Sequence, residues 1–178
     1  MIHDFKESLA RSHDAEDLPI WEHVYKTAFP GMIEMVSYRS DGFWQREGVD
    51  RGVLLETTKQ ILIDEKVRYR NSSTGKVYDD ILLEYWSSFE HKTKGWVCKN
   101  LRCDYIAYLI APLGICYMLP TIQLQNSWSK YGEEWKKDYF NPKAKNKGYT
   151  TYSVAVPANV VFKALGQELR INFNPFEN

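Results

Sequence analysis

The clearest patterning in this chain lies between residues 46 and 70. Residues 46–55 and 59–70 are rich in Val, Leu, Ile and Thr, and Glu56-Thr57-Thr58 separates them. This composition predicts a β-hairpin. With the turn centred on Thr57, Asp50 faces Asp64 across the pair. Strand alternation then places Leu62, Asp64, Lys66 and Arg68 on one face, and Ile61, Ile63, Glu65 and Val67 on the other, mostly apolar face. Upstream, Trp21, Val24, Tyr25 and Ala28 recur at helical spacing. Asp17 serves as the cap, Pro19 sits in the first turn and Phe29-Pro30-Gly31 is the stop.

Downstream, Asn71-Ser72-Ser73-Thr74-Gly75 is a turn cluster. Residues 81–86 and 103–110 read as strands. A long helix is predicted from Pro120 to near Asn141-Pro142, with Leu124, Trp128, Tyr131, Trp135 and Tyr139 on one stripe that reads as core. Residues 149–156 alternate as a strand, with Thr150, Tyr152, Val154 and Val156 on one side. Asn159 then caps a final helix through Leu169, and residues 169–173 form a short last strand. The element order predicts an α/β (α+β) fold: a single domain with a central mixed β-sheet flanked by helices.

Two carboxylates held face to face repel each other and raise one pKa unless a cation lies between them. Asp50 and Asp64 are therefore candidate ligands for a hard divalent ion, Mg²⁺ or Mn²⁺, bound through oxygen. Such an ion lowers the pKa of a bound water and neutralises charge on a phosphate. Lys66, on the same strand face as Asp64, is placed to orient that water or to stabilise the phosphate. The plain alternative is an exposed hairpin face with an Asp–Lys ion pair worth about 0–1 kcal/mol. Glu84 lies mid-strand among large apolar residues, where an acid is costly unless paired or metal-bound. It is either an outer ligand or partner of Lys66, or a residue on the solvent face of an edge strand.

Gly48-Val49-Asp50 followed by Asp64-Glu65-Lys66 resembles the motif of the PD-(D/E)XK nuclease superfamily. That family places one acid on a strand and an acid-x-lysine on the next. The resemblance spans residues 16–110 by element order: helix, hairpin, further strands and a helix. It departs in lacking the proline of the first element. It implies a restriction-endonuclease-like fold and a Mg²⁺-dependent endo- or exonuclease that hydrolyses phosphodiester bonds in DNA. Asp50 and Asp64 would hold metal and Lys66 would position water. It also implies a further acid on the helix before the hairpin, for which Glu22 is the candidate and Glu34 the rival. The Lys94-Gly95-Trp96 loop with Lys99 resembles a segment that lies near the nucleic acid in several such nucleases.

Composition adjusts this picture in places. Basic and acidic residues balance at 23 each, a mild objection to phosphate binding unless the charge is locally polarised. The densest positive run, from Lys136 to Lys147, includes Lys143, Lys145 and Lys147 with aromatics beside it, and reads as a loop. It suits contact with nucleic acid or serves as a solubilising connection. Met1 to Ala10 is polar and the apolar run Leu109 to Pro120 is too short to span a bilayer, so a soluble, cytoplasmic protein with no membrane partner is expected. Cys98, Cys103 and Cys116 fit neither a disulfide framework nor, with His91, a common zinc spacing; reduced, partly buried thiols are expected. Fifteen per cent aromatic content keeps two alternatives open. One is a non-catalytic nucleic-acid-binding module on the same fold. The other is a protein-interaction module, such as a phage or mobile-element factor, with a second copy or a host protein as partner.

Overall fold

In a computed structural model, residues 19–71 and 74–170 are described. Among the described residues, two sheets and four α-helices make a mixed α+β fold. The first sheet has strand order β1-β2-β3-β6-β7, with β1 Met32–Ser37, β2 Arg51–Leu55, β3 Gln60–Arg68, β6 Tyr105–Ile110 and β7 Ile115–Pro120. The second has order β5-β4-β9-β8, with β4 Asp80–Ser88, β5 Thr93–Lys94, β8 Lys143–Asn146 and β9 Tyr149–Pro157. The helices are α1 Ile20–Ala28, α2 Gly42–Arg46, α3 Thr121–Asp138 and α4 Ala158–Glu168. The single central sheet expected from sequence is thus two sheets, because β4 pairs with β9 rather than with a strand of the hairpin sheet.

The β2–β3 hairpin has the predicted register, with Arg51 opposite Ile63 and Val53 opposite Ile61. Its first strand begins later than expected. Asp41 caps α2 through Phe43 N–H (2.9 Å) and Trp44 N–H (3.3 Å), so residues 42–46 are helical. The chain leaves α2 through Gly48 at φ +72°, where a Cβ would also collide with Leu101 Cδ2. β3 runs parallel to β6, with Asp64 beside Ile106 and Lys66 beside Tyr108. The connection between them passes through β4 and β5, and no α-helix lies between Asp80 and Ile110. The helix expected at the end of the 16–110 span is absent there.

Alternation sorts the first sheet into two faces. Ile63, Val53, Ala107 and Leu109 pack with Trp21 and Tyr25 of α1. Leu62, Ile106, Tyr108 and Ile110 join a larger cluster with Ile81, Leu83, Val154 and Val156 of the second sheet and with Leu124, Trp135 and Val161 of α3 and α4. The predicted stripe on α3 is core at Leu124 and Trp135. Of three terminal expectations, one falls outside the described residues and two differ from the structure. Asp17 lies outside the described residues. α4 starts at Pro157–Ala158, so Asn159 is inside its first turn rather than its cap. Leu169 and Arg170 are not in a strand, and residues 171–173 lie outside the described residues.

Candidate functional site: an acid pair and lysine on one sheet face

Asp50 continues the ladder one residue before β2. Its N–H donates to Ile63 O (2.9 Å), and its carbonyl accepts from Tyr38 N–H (2.9 Å). Its carboxylate Oδ2 accepts from Glu65 N–H at 2.8 Å, which fixes the side chain against β3. Asp64 is 4% exposed, and its carboxyl lies within hydrogen-bonding reach of Asp50's. Lys66 Nζ donates to Asp64 Oδ1 and, at 3.3 Å, to Glu65 O. The sequence reading of this trio as one face of one hairpin matches the observed register.

The electrostatics follow from this crowding. Burial pushes the Asp64 carboxyl up; Lys66 opposes the rise and Asp50 adds to it, leaving it at about 7. Burial alone lowers the Lys66 ammonium, but Asp64 and Asp50 outweigh that and push it up to about 12. One cation therefore already sits against Asp64, and it is a side chain. Nearby Cys103 is pushed up to about 12, first by burial and then by Asp64, so its thiol stays protonated at neutral pH.

A cavity of about 310 Å³ opens over Lys66. Arg68, Glu84, Trp96, Tyr108 and Ser153 line it with Lys66. Glu84 thus lines the same cavity as Lys66. Burial raises its carboxyl, while Ser87, Lys66 and Lys99 hold it down. Gly95 makes this packing possible, because a Cβ there would collide with the Glu84 carbonyl oxygen.

Other expected site residues lie elsewhere. Glu22 is exposed and pairs with Lys26 at 2.6 Å, one helical turn on. The reason is periodicity: Trp21 and Tyr25 turn toward the sheet, and the residue after Trp21 turns away. Glu34 is exposed on edge strand β1. Trp96 lines the Lys66 cavity, whereas Lys94 and Lys99 line a separate cleft. Lys143 and Lys145 are not in a loop but on edge strand β8, with Lys147 in the turn to β9. Lysines on an edge strand also discourage pairing with other chains.

The helix before the hairpin does send a polar group to β3, though not the expected one. Tyr25 Oη donates to Glu65 Oε1 at 2.6 Å, and Arg51 Nε donates to the same oxygen at 3.1 Å. Glu65 is 6% exposed on the α1 side of the sheet. Burial raises its carboxyl, and Arg51 and Tyr25 counter that. The Tyr25 hydroxyl is driven far up by burial and by Glu65. The signal was present in sequence: a carboxylate on an apolar strand face needs a donor from whatever packs there, and Tyr25 belonged to that helix stripe.

Among the described residues, no three His, Cys, Asp or Glu side chains converge as a metal-binding group. The fit to a divalent ion rests on two hard carboxylates, one of them deeply buried and raised in pKa chiefly by that burial, with the other's charge adding to it. That donor set suits Mg²⁺ completed by water, which this ion retains readily. No helix among the described residues is long and apolar enough to cross a membrane. No family model, curated protein or solved structure matches the chain.

Proposed function

We propose that this protein is a divalent-metal-dependent nuclease of restriction-endonuclease-like type, hydrolysing phosphodiester bonds in DNA. The observation that carries this reading is the meeting of the Asp50 and Asp64 carboxyls beside Lys66, a lysine that also lines the cavity holding Glu84. Mg²⁺ or Mn²⁺, when bound by Asp50 and Asp64, supplies charge neutralisation at the phosphate and a more acidic water. The chain's own groups do the rest. Asp50 is held by the Glu65 N–H, so that side chain needs little reorganisation. Lys66, which pairs with Asp64 in the metal-free protein, would hold the attacking water against phosphorus once that carboxylate is otherwise engaged. Glu84 lines the same cavity as Lys66, burial raises its affinity for protons, and in this reading it takes the proton that the water loses. Arg68 lines the same cavity, where it is paired with Asp80 at 2.8 Å and stacked on Tyr78.

A second reading, a non-catalytic module on this fold, draws on the closed Asp64–Lys66 pair and the presence of only two converging acids among the described residues. Cleavage of plasmid and linear DNA separates the two. The nuclease reading expects Mg²⁺- or Mn²⁺-dependent products that disappear with Asp64→Asn and with Lys66→Met while the circular-dichroism spectrum is retained. Equal trace digestion by wild type and both variants would mark a contaminant and favour the binding module.

A further inference from the structure

A second and larger cleft, about 730 Å³, lies on the other side of the segment that carries Trp96. Tyr85 and Trp128 form its aromatic wall, with ring centroids 5.7 Å apart and planes inclined by 22°. Lys136 Nζ stands 5.3 Å from the Tyr85 centroid and 6.0 Å from that of Trp128. Lys94 and Lys99 line the rim and are exposed. The aromatic surface continues through Tyr152, 6.2 Å from Tyr85, to Phe89, which is 50% exposed and 4.9 Å from Tyr152. Lys143 lies 4.9 Å from the Tyr152 ring. The charge here is one-sided. Three lysines line the cleft against one carboxylate, Glu133, which is itself paired with Lys136. The whole chain, by contrast, has no formal net charge.

Lysines spaced along an aromatic-walled cleft match a polyanion that also offers flat apolar faces. A peptide rich in acids has the charge without those faces. A duplex has the faces, but they are covered by neighbouring base pairs and cannot enter a recess. An unpaired strand offers both, and stacking on Tyr or Trp tolerates any base. We propose that this cleft binds single-stranded nucleic acid, with bases against Tyr85 and Trp128 and phosphates past Lys94, Lys99 and Lys136. Residues 94–100 wall both cavities, with Trp96 on the Lys66 side and Lys94 and Lys99 on this side. A strand held here is delivered next to Lys66 and Glu84. The inference deepens the nuclease reading by naming an unpaired strand as its substrate, and it rests on that reading only for what is cut.

The test measures binding apart from cleavage. Full-length protein carrying Asp64→Asn, in chelator, is titrated into fluorescein-labelled oligothymidylate of roughly 15 nucleotides and into the matching duplex. The expected result is at least about tenfold tighter binding of the single strand, reduced about tenfold by Trp128→Leu. Trp128 also packs on the core, so the exposed pair Lys94→Gln with Lys99→Gln provides a second arm. It should lower the slope of log affinity against log salt by about 1.4. Equal or tighter duplex binding, or an unchanged salt slope in the lysine variant, overturns the proposal. So does displacement by polyglutamate as effective as by unlabelled oligothymidylate. Single-strand binding by a wild-type protein that cuts nothing in Mg²⁺ supports this cleft and removes the nuclease reading. Efficient cutting of duplex with no single-strand preference does the reverse.

Discussion

Replacing Asp64 by Asn should make the metal-free protein more stable at pH 8 and leave it nearly unchanged at pH 4. The Asp64 carboxyl is raised from 3.8 to about 7, chiefly by burial, with Asp50 adding to the rise. A carboxyl with a raised folded-state pKa holds its proton in the native state after the unfolded chain has released it. Stability therefore falls as pH rises through the window from about 4 to about 7, and stays lowered above it. A rise of that size sets a ceiling of about 4 kcal/mol. The substituted amide cannot ionise, so that slope should vanish from the variant. Raised carboxyls at Glu65, Glu84 and Asp80 tilt both curves alike and cancel in the difference. Lys66 is raised to about 12, so its ion-pair contribution fades only as pH climbs from about 10.5 to that value, outside the window. Urea denaturation followed by tryptophan fluorescence at pH 4, 6 and 8 measures the effect. Adding Mg²⁺ at about 100 times its Kd should then restore about 2.7 kcal/mol to wild type at pH 8 and little to the variant. Parallel stability curves for the two proteins would refute the claim that burial makes the Asp64 charge costly even with Lys66 beside it.

Three further outcomes follow from the same geometry. Lys66→Met should lower the cleavage rate at saturating DNA by about 10² or more while Mg²⁺ still binds by calorimetry, because the lysine acts on the water and phosphate rather than as a ligand; loss of metal binding in this variant would reassign it. Tyr25→Phe should cost about 1–3 kcal/mol in urea denaturation by leaving Glu65 short of a donor, and Tyr25→Phe with Glu65→Gln should cost less than the sum of the two single changes; strict additivity would show that the 2.6 Å contact carries no coupling. Gly48→Ala should cost about 1–2 kcal/mol, since it forces a left-handed backbone on alanine while the Leu101 side chain gives way; a crystal structure of the variant with Asp50 unmoved and stability unchanged would contradict the role given to that turn.

The hairpin and its acid–lysine face were legible because strand register leaves a signature of period two, and a two-sided strand separates Asp64 and Lys66 from Ile63 and Val67 without ambiguity. The long helix α3 was equally plain from its stripe and its bounding prolines. Edge strand β1 was not, because a partly exposed strand such as Met32–Ser37 carries no clean alternation. The division into two sheets was hidden for a different reason. Pairing of β4 with β9 joins residues about seventy positions apart, a choice made by the shared core rather than by local pattern. Lys143 and Lys145 looked like a loop because composition dominated the reading, whereas their alternation with Ala144 and Asn146 belongs to an edge strand. Glu22 failed as a site residue on a rotation of one position around α1. The true polar link from that helix, Tyr25 to Glu65, required knowing that α1 packs on the Ile63 face.

Diffraction from crystals soaked in Mn²⁺ tests the central claim most directly, because the ion's anomalous signal locates it independently of the protein. One peak is expected within ligand distance, roughly 2.0–2.6 Å, of carboxylate oxygens of both Asp50 and Asp64, with Lys66 Nζ turned from Asp64 toward the Glu84 cavity. No peak at the acid pair under saturating Mn²⁺, with Lys66 still closed on Asp64, would contradict it.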